Sequence, residues 1–109
     1  LISMGDAPDK PDPKGFITLS KKLIGDKLGA SNIPIAYVGD TIADINTVIN
    51  ARKEIPSQKF ISIGIAPPHL HLKIRLKERI SYEKNLQNAG ADLILNNIND
   101  LKNINFDLF

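Results

Sequence analysis

Three short apolar runs, set between stretches of helical periodicity, constrain this chain more than any other feature. Pro34–Val38 reads Pro-Ile-Ala-Tyr-Val, Lys59–Ile65 reads Lys-Phe-Ile-Ser-Ile-Gly-Ile, and Leu93–Leu95 reads Leu-Ile-Leu. An apolar run without polar alternation suits a strand buried on both faces, as in a parallel sheet. From about Pro13 to Leu28, Phe16, Ile17, Leu19, Leu23 and Ile24 recur at helical spacing. Pro13 fits the first turn of that helix and Gly29 its stop. Ile42, Ile45, Val48 and Ile49 carry a second helix to about Arg52, before Pro56. His71–Arg79 alternates partly with period two, yet Leu76 and Ile80 lie at helical spacing. A helix through about Ala89, stopped by Gly90, is expected there. Leu1–Met4 is a short apolar piece, Gly5–Pro13 and Ala66–Leu70 are irregular, and Ile98–Lys102 is a final helical turn. This alternation predicts an α/β fold, a Rossmann-like parallel sheet with flanking helices.

Composition removes several classes of function. With 14 Lys+Arg against 12 Asp+Glu, the net charge of +2 argues for no nucleic-acid and no membrane partner. The absence of Cys excludes disulfides, thiol catalysis and cysteine metal sites. It suits a cytoplasmic protein. No apolar run approaches the roughly 20 residues of a membrane span. The chain begins at Leu1 with no charged-then-apolar leader, so a truncated beginning is expected rather than a signal peptide.

Two motifs carry chemistry. In Val38-Gly39-Asp40-Thr41-Ile42-Ala43-Asp44 an apolar strand runs into Gly-Asp and a helix begins at once. Ligands bind at the carboxyl ends of strands in open α/β sheets. Asp40 occupies such an end, and Asp44 follows on the first helical turn. Two carboxylates there suit a hard cation such as Mg²⁺, which takes oxygen ligands. The same spacing also suits a plain helix start, with Asp40 or Thr41 as cap and Asp44 near the positive helix end. The second motif is Asp9-Lys10-Pro11-Asp12-Pro13. Its prolines hold Lys10 on a stiff backbone, where an ammonium can neutralise a phosphate or a carboxylate. A solvated surface turn is the other reading.

Taken in order, Lys-Pro-Asp-Pro, a helix, and an apolar strand leading into Gly-Asp-x-x-x-Asp and a second helix resemble the haloacid dehalogenase-like hydrolases. The closer resemblance is to their phosphatase-type subfamily, which carries a helical cap inserted early in the chain. The resemblance spans the chain from the strand before Lys10 to the last strand. Gly64-Ile65-Ala66-Pro67-Pro68-His69 is similar to one small clade of that family. It implies an Mg²⁺-dependent phosphohydrolase acting on a small phosphorylated metabolite through an aspartyl-phosphate. Lys10, Asp40 and Asp44 would be its catalytic residues. Lys10 would orient the nucleophile, Asp40 would ligate the metal, and Asp44 would support the metal through water or a hydrogen bond. Gly39 would permit close backbone approach.

The family's first motif, Asp-x-Asp-x-Thr/Ser, has no counterpart here: no two aspartates lie two residues apart. Ser3, the only Ser or Thr before Lys10, is too close to it to be the second motif. The chain therefore resembles the C-terminal part of such an enzyme, lacking the first-motif strand and the cap and inactive in isolation. The family's sheet order, 3-2-1-4-5, would make Leu1–Met4 its third strand, Pro34–Val38 its fourth and Lys59–Ile65 its fifth. The fourth strand would then present an open apolar edge, to be covered by an N-terminal half or a second copy. The alternative is a non-catalytic interaction module that keeps the fold pattern. His69 and His71 read as surface or loop-packing residues, with a substrate contact by His69 as the sharper option. Lys73, Arg75, Lys77 and Arg79 read as a solvated face, Tyr37 as core, and Tyr82 as helix packing.

Overall fold

The computed structural model describes residues 2–3, 10–30, 32–106 and 109. Leu1 and Met4, most of the Gly5–Pro13 loop with Asp9, and Asp107 lie outside the described residues. Four parallel strands, β1 (Ile2–Ser3), β2 (Ile35–Gly39), β3 (Phe60–Ile65) and β4 (Leu93–Leu95), form one sheet in the order β1-β2-β3-β4. Helices α1 (Lys14–Ile24), α2 (Ile42–Glu54) and α3 (Leu76–Ala89) connect them. The expected parallel α/β architecture is thus present, and each long strand falls on one of the three apolar runs.

One pairing differs from the arrangement the resemblance implied. There, two strands would separate the first apolar piece from the Pro34–Val38 strand. In the structure β1 pairs directly with β2, through Ile2 opposite Tyr37 and Ser3 opposite Val38. An edge of unpaired N–H and C=O groups takes whatever extended segment reaches it, and Ile2–Ser3 reaches this one. The cover is short, two residues against the five of β2.

Strand pleating sends alternate residues to opposite faces. On the first face Ile35, Tyr37 and Phe60 pack with Phe16 and Ile17 of α1 and Val48 and Ala51 of α2. The Phe16 ring centre lies 5.0 Å from that of Tyr37 and 5.2 Å from that of Phe60, both pairs tilted as aromatic quadrupoles prefer. Leu86 of α3 covers Gly64 on the same face, where an added Cβ would meet Leu86 at 3.3 Å and Ile94 at 3.0 Å. The second face, with Ala36, Val38, Ile61, Ile63 and Leu95, is covered by Leu101, Ile104 and Phe106 of the C-terminal segment. All three helices therefore lie on one face.

The helix ends follow local chemistry. Gly25 adopts a left-handed φ of 57° and ends α1 earlier than expected, and a 3-10 turn over Gly25–Lys27 continues the chain. Gly90, with φ 120°, ends α3 where the sequence placed the stop. The ambiguous stretch before α3 forms two 3-10 turns, Pro68–His71 and Lys73–Arg75, so the helix starts only at Leu76. Its apolar pair Leu76 and Ile80 faces outward, together with Leu72 and Ile74, while Leu86 supplies its buried contact. Among the described residues no helix is long and apolar enough to cross a membrane.

Two polar clamps hold the amino ends of the strands. Arg52 at the end of α2 donates to the Phe60 carbonyl at 2.8 Å and pairs with Asp92 at 2.5 Å. Asp92 in turn accepts from the Ser62 amide at 2.8 Å, tying α2, β3 and the start of β4 together. Buried Gln58 accepts from the Gly29 amide at 2.8 Å and donates to the carbonyls of Ile33 and Lys59 at 2.7 and 3.0 Å. Replacing Gln58 by Met keeps the volume but leaves three buried or half-buried backbone groups without this partner. Urea denaturation should show a loss of about 2–3 kcal/mol for Gln58→Met; a loss below about 0.5 kcal/mol would contradict the clamp.

Candidate functional site

At the carboxyl end of β2 the strand passes through Gly39 and Asp40 into α2. Thr41 caps α2: its hydroxyl accepts from the Asp44 amide at 3.2 Å, and the Asp44 side chain returns a bond to the Thr41 amide at 3.0 Å. This is a capping box, in which two orphan helix N–H groups are satisfied reciprocally. The plain helix-start reading is therefore present, with Thr41 as the cap.

Asp44 does more than cap. Only 2% exposed, it folds back over Gly39, and every position around its carboxylate is taken. Oδ2 accepts from the amides of Asp40 at 3.1 Å and Thr41 at 3.0 Å and from the Thr41 hydroxyl at 2.7 Å. Oδ1 accepts from the Tyr37 hydroxyl at 3.0 Å and pairs with the Lys10 Nζ at 2.7 Å. Gly39 is required by this carboxylate: an added Cβ would lie 2.3 Å from the Asp44 Cβ. Burial pushes the Asp44 carboxyl up, but the bonds from Lys10, Thr41 and Tyr37 outweigh it and hold the group below its ordinary value of 3.8.

The structure thus brings Lys10, Gly39, Asp40 and Asp44 into one place, as the sequence motifs anticipated. It also separates the roles of the two carboxylates. Asp44 is saturated by protein donors, so it serves as a buried anchor for Lys10 and for the β2–α2 turn. The Asp40 carboxylate takes no hydrogen bond among the described residues and is half-buried at the wall of a cleft. Lys10, 28% exposed, is tied to Asp44, and an ammonium has three donors to offer. Among the described residues, no three or more His, Cys, Asp or Glu side chains cluster as a metal would need.

The cleft measures about 440 Å³ and opens at the carboxyl ends of β2, β3 and β4. Asp40, the Ile65–Pro68 segment, His71 and Asn96–Ile98 line it. Sequence reasoning missed several of these contributors. Of the two histidines it is His71, not His69, that reaches the cleft. Asn96 and Asn97, which no sequence motif singled out, also line it. Tyr37 is core, yet its hydroxyl reaches Asp44. Tyr82 of α3 donates to the Asp40 carbonyl, and burial followed by the charges of Asp40 and Asp44 raises its hydroxyl above the ordinary range. The available signal was topological: residues just after parallel strands gather at one sheet edge. Nothing in the spacing announces Tyr82.

Compared with protein-family models, curated proteins and solved structures, the chain matches none.

Two expectations follow from this geometry. Gly39→Ala forces the Asp44 side chain off its five partners and should destabilise the chain by about 3 kcal/mol in urea denaturation. Asp44→Asn should cost about 2–4 kcal/mol at neutral pH, through lost charge-assisted bonds. Because the folded carboxyl lies below its ordinary value, its contribution is complete above the unfolded pKa, about 3.9. It is lost as pH falls through the folded value. The gap in urea midpoint between wild type and Asp44→Asn should therefore stay constant above about pH 5 and shrink in more acid solution; a gap independent of pH would contradict it.

Proposed function

We propose that this chain is the C-terminal part of an Mg²⁺-dependent phosphohydrolase that cleaves small phosphomonoesters. The observation that carries the reading is the convergence of Lys10 on the Asp40–Asp44 turn, at the carboxyl edge of a parallel sheet and beside a cleft. The similarity of these two motifs to those of haloacid dehalogenase-like hydrolases supports the same reading.

The residues divide the work by environment. Asp40, whose carboxylate takes no hydrogen bond among the described residues, fits as an oxygen ligand to Mg²⁺. Asp44 fits behind it, fixing the Asp40 amide and orienting Lys10. Bound Mg²⁺ would supply Lewis-acid stabilisation of charge on the transferring phosphoryl group. The Lys10 ammonium, held at 2.7 Å by a buried carboxylate, is positioned to balance charge on an anionic substrate or nucleophile without reorganising. The nucleophile is a carboxylate from a segment bearing Asp-x-Asp-x-Thr/Ser, which this chain does not contain. That segment, or a second copy, is also the partner that would extend the sparsely covered edge of β2.

The test is phosphate release by the product of the complete reading frame, with and without Mg²⁺, over a panel of phosphomonoesters. Asp40→Asn should weaken Mg²⁺ binding by at least about 10-fold and lower turnover with it. Lys10→Ala should lower turnover on the order of 100-fold with a smaller effect on metal affinity. Normal rates in both variants, or a product with no metal-dependent phosphatase activity, would leave the non-catalytic module as the reading.

A further inference from the structure

We propose that the ridge formed by residues 72–77, with Ile80 beside it, docks the chain onto an anionic lipid surface. Its leucine and isoleucine side chains enter the headgroup layer, and its lysines meet the lipid charge. None of the residues in the phosphohydrolase reading takes part, so the docking stands or falls apart from that reading.

The exposed apolar side chains carry the inference. Leu72, Ile74 and Leu76 are 58%, 87% and 48% exposed, and Ile80, one helical turn beyond Leu76, is 55% exposed. Isolated exposed leucines are ordinary. Four such side chains within nine residues expose on the order of 500 Å², the size of patch that marks an interaction surface. The Lys73–Arg75 turn is a 3-10 turn, rising about 2 Å per residue, so the side chains of residues 72–77 spring from about 10 Å of chain. An Ile as exposed as Ile74 stands on a convex ridge, not in a groove.

Cations alternate with these side chains. Lys73, Arg75 and Lys77 are all exposed, and residues 66–82 hold four Lys and Arg against one acid, Glu78. Glu78 pairs with Arg75 at 2.9 Å, and Arg79 lies 3.9 Å from Glu83 on α3. Lys73 and Lys77 make no ion pair among the described residues. Their long stems let the ammonium groups sit at headgroup level while the apolar side chains reach deeper. The net charge of +2 belongs to the whole chain, whereas a lipid surface potential acts over about one Debye length, roughly 8–10 Å, and so reads the ridge alone.

The same features rank the other occupants lower. A second copy docked ridge to ridge would set Lys73, Arg75 and Lys77 against their own counterparts. A nucleic acid offers phosphates but no apolar layer for Ile74. A protein partner needs a groove cut to this ridge, whereas the bilayer interface takes a convex apolar side chain of any shape.

The test sediments the 109-residue chain with vesicles of phosphatidylcholine alone and of phosphatidylcholine containing one-third phosphatidylserine. Binding should be confined to the anionic vesicles and should weaken as salt rises. Ile74→Ser, at a side chain almost wholly in solvent, should weaken it about 10-fold. Lys73→Ala combined with Lys77→Ala should weaken it by at least about 10-fold. Lys21→Ala combined with Lys22→Ala, the same change of charge at exposed positions on α1, should leave it as it was. No binding, equal binding to neutral vesicles, full affinity in Ile74→Ser, or an equal loss in the α1 variant would overturn the proposal. Self-association that Ile74→Ser abolishes, with no lipid binding, would make a second copy the occupant and overturn it too. A product of the complete reading frame that does not bind would assign the ridge to an upstream segment and likewise overturn it, whether or not that product hydrolyses phosphomonoesters.

Discussion

The buried carboxylate of Asp44 is the constraint on which the carboxyl edge of the sheet depends. Five donors from four residues converge on it: the amides of Asp40 and Thr41, the hydroxyls of Thr41 and Tyr37, and the ammonium of Lys10. A carboxylate so far from water is costly unless paired and hydrogen-bonded, and here it is both. Its partners span a strand, a turn, a helix start and the loop before α1. One side chain therefore sets the register between β2 and α2 and fixes the position of Lys10. Gly39 is the steric condition of that arrangement, because the carboxylate lies where a Cβ would be.

The sheet supplies the platform. Toward the carboxyl end of the helix-covered face the strand residues are small, Gly39, Ser62 and Gly64, and Asp44 of α2 and Leu86 of α3 lie close over the two glycines. The other face, with Ala36, Val38, Ile61, Ile63 and Leu95, is closed by the C-terminal segment through Leu101, Ile104 and Phe106. That segment follows β4 directly, so closing the second face also places Asn96, Asn97 and Ile98 beside the ends of β2 and β3. The cleft is thus a by-product of core closure on one side and of the proline-rich Ile65–Pro68 segment on the other. Clamps at the opposite end, Gln58 and the Arg52–Asp92 pair, hold the strands' amino ends without reaching the site.

Much of this was legible in the residues. Continuous apolar runs located β2, β3 and β4 because strands buried on both faces tolerate no polar alternation. The Gly-Asp-x-x-x-Asp spacing located the β2–α2 turn at the carboxyl edge of the sheet, because a strand there runs straight into a capped helix. The reading weakened where local signals competed. Gly29 was the expected stop of α1, yet Gly25 reached a left-handed φ first. The residues 71–79 carried both periods, and tightly wound 3-10 turns resolved the conflict while leaving Leu72, Ile74 and Ile80 exposed. The direct pairing of β1 with β2 had no local signature at all, since strand adjacency is decided by which edge is accessible.

The sequence by itself determined the alternation of strands and helices, the capped start of α2, and the placing of Lys10, Asp40 and Asp44 in chemically suggestive motifs. These depend on side-chain period, backbone freedom and short-range hydrogen bonding, all local properties. Only the tertiary structure decided that Asp44 is saturated while Asp40 is open, that His71 rather than His69 lines the cleft, and that Tyr37 and Tyr82 reach the β2–α2 turn. Those outcomes depend on which donors arrive from distant segments, and a carboxylate's role follows from how many of them reach it.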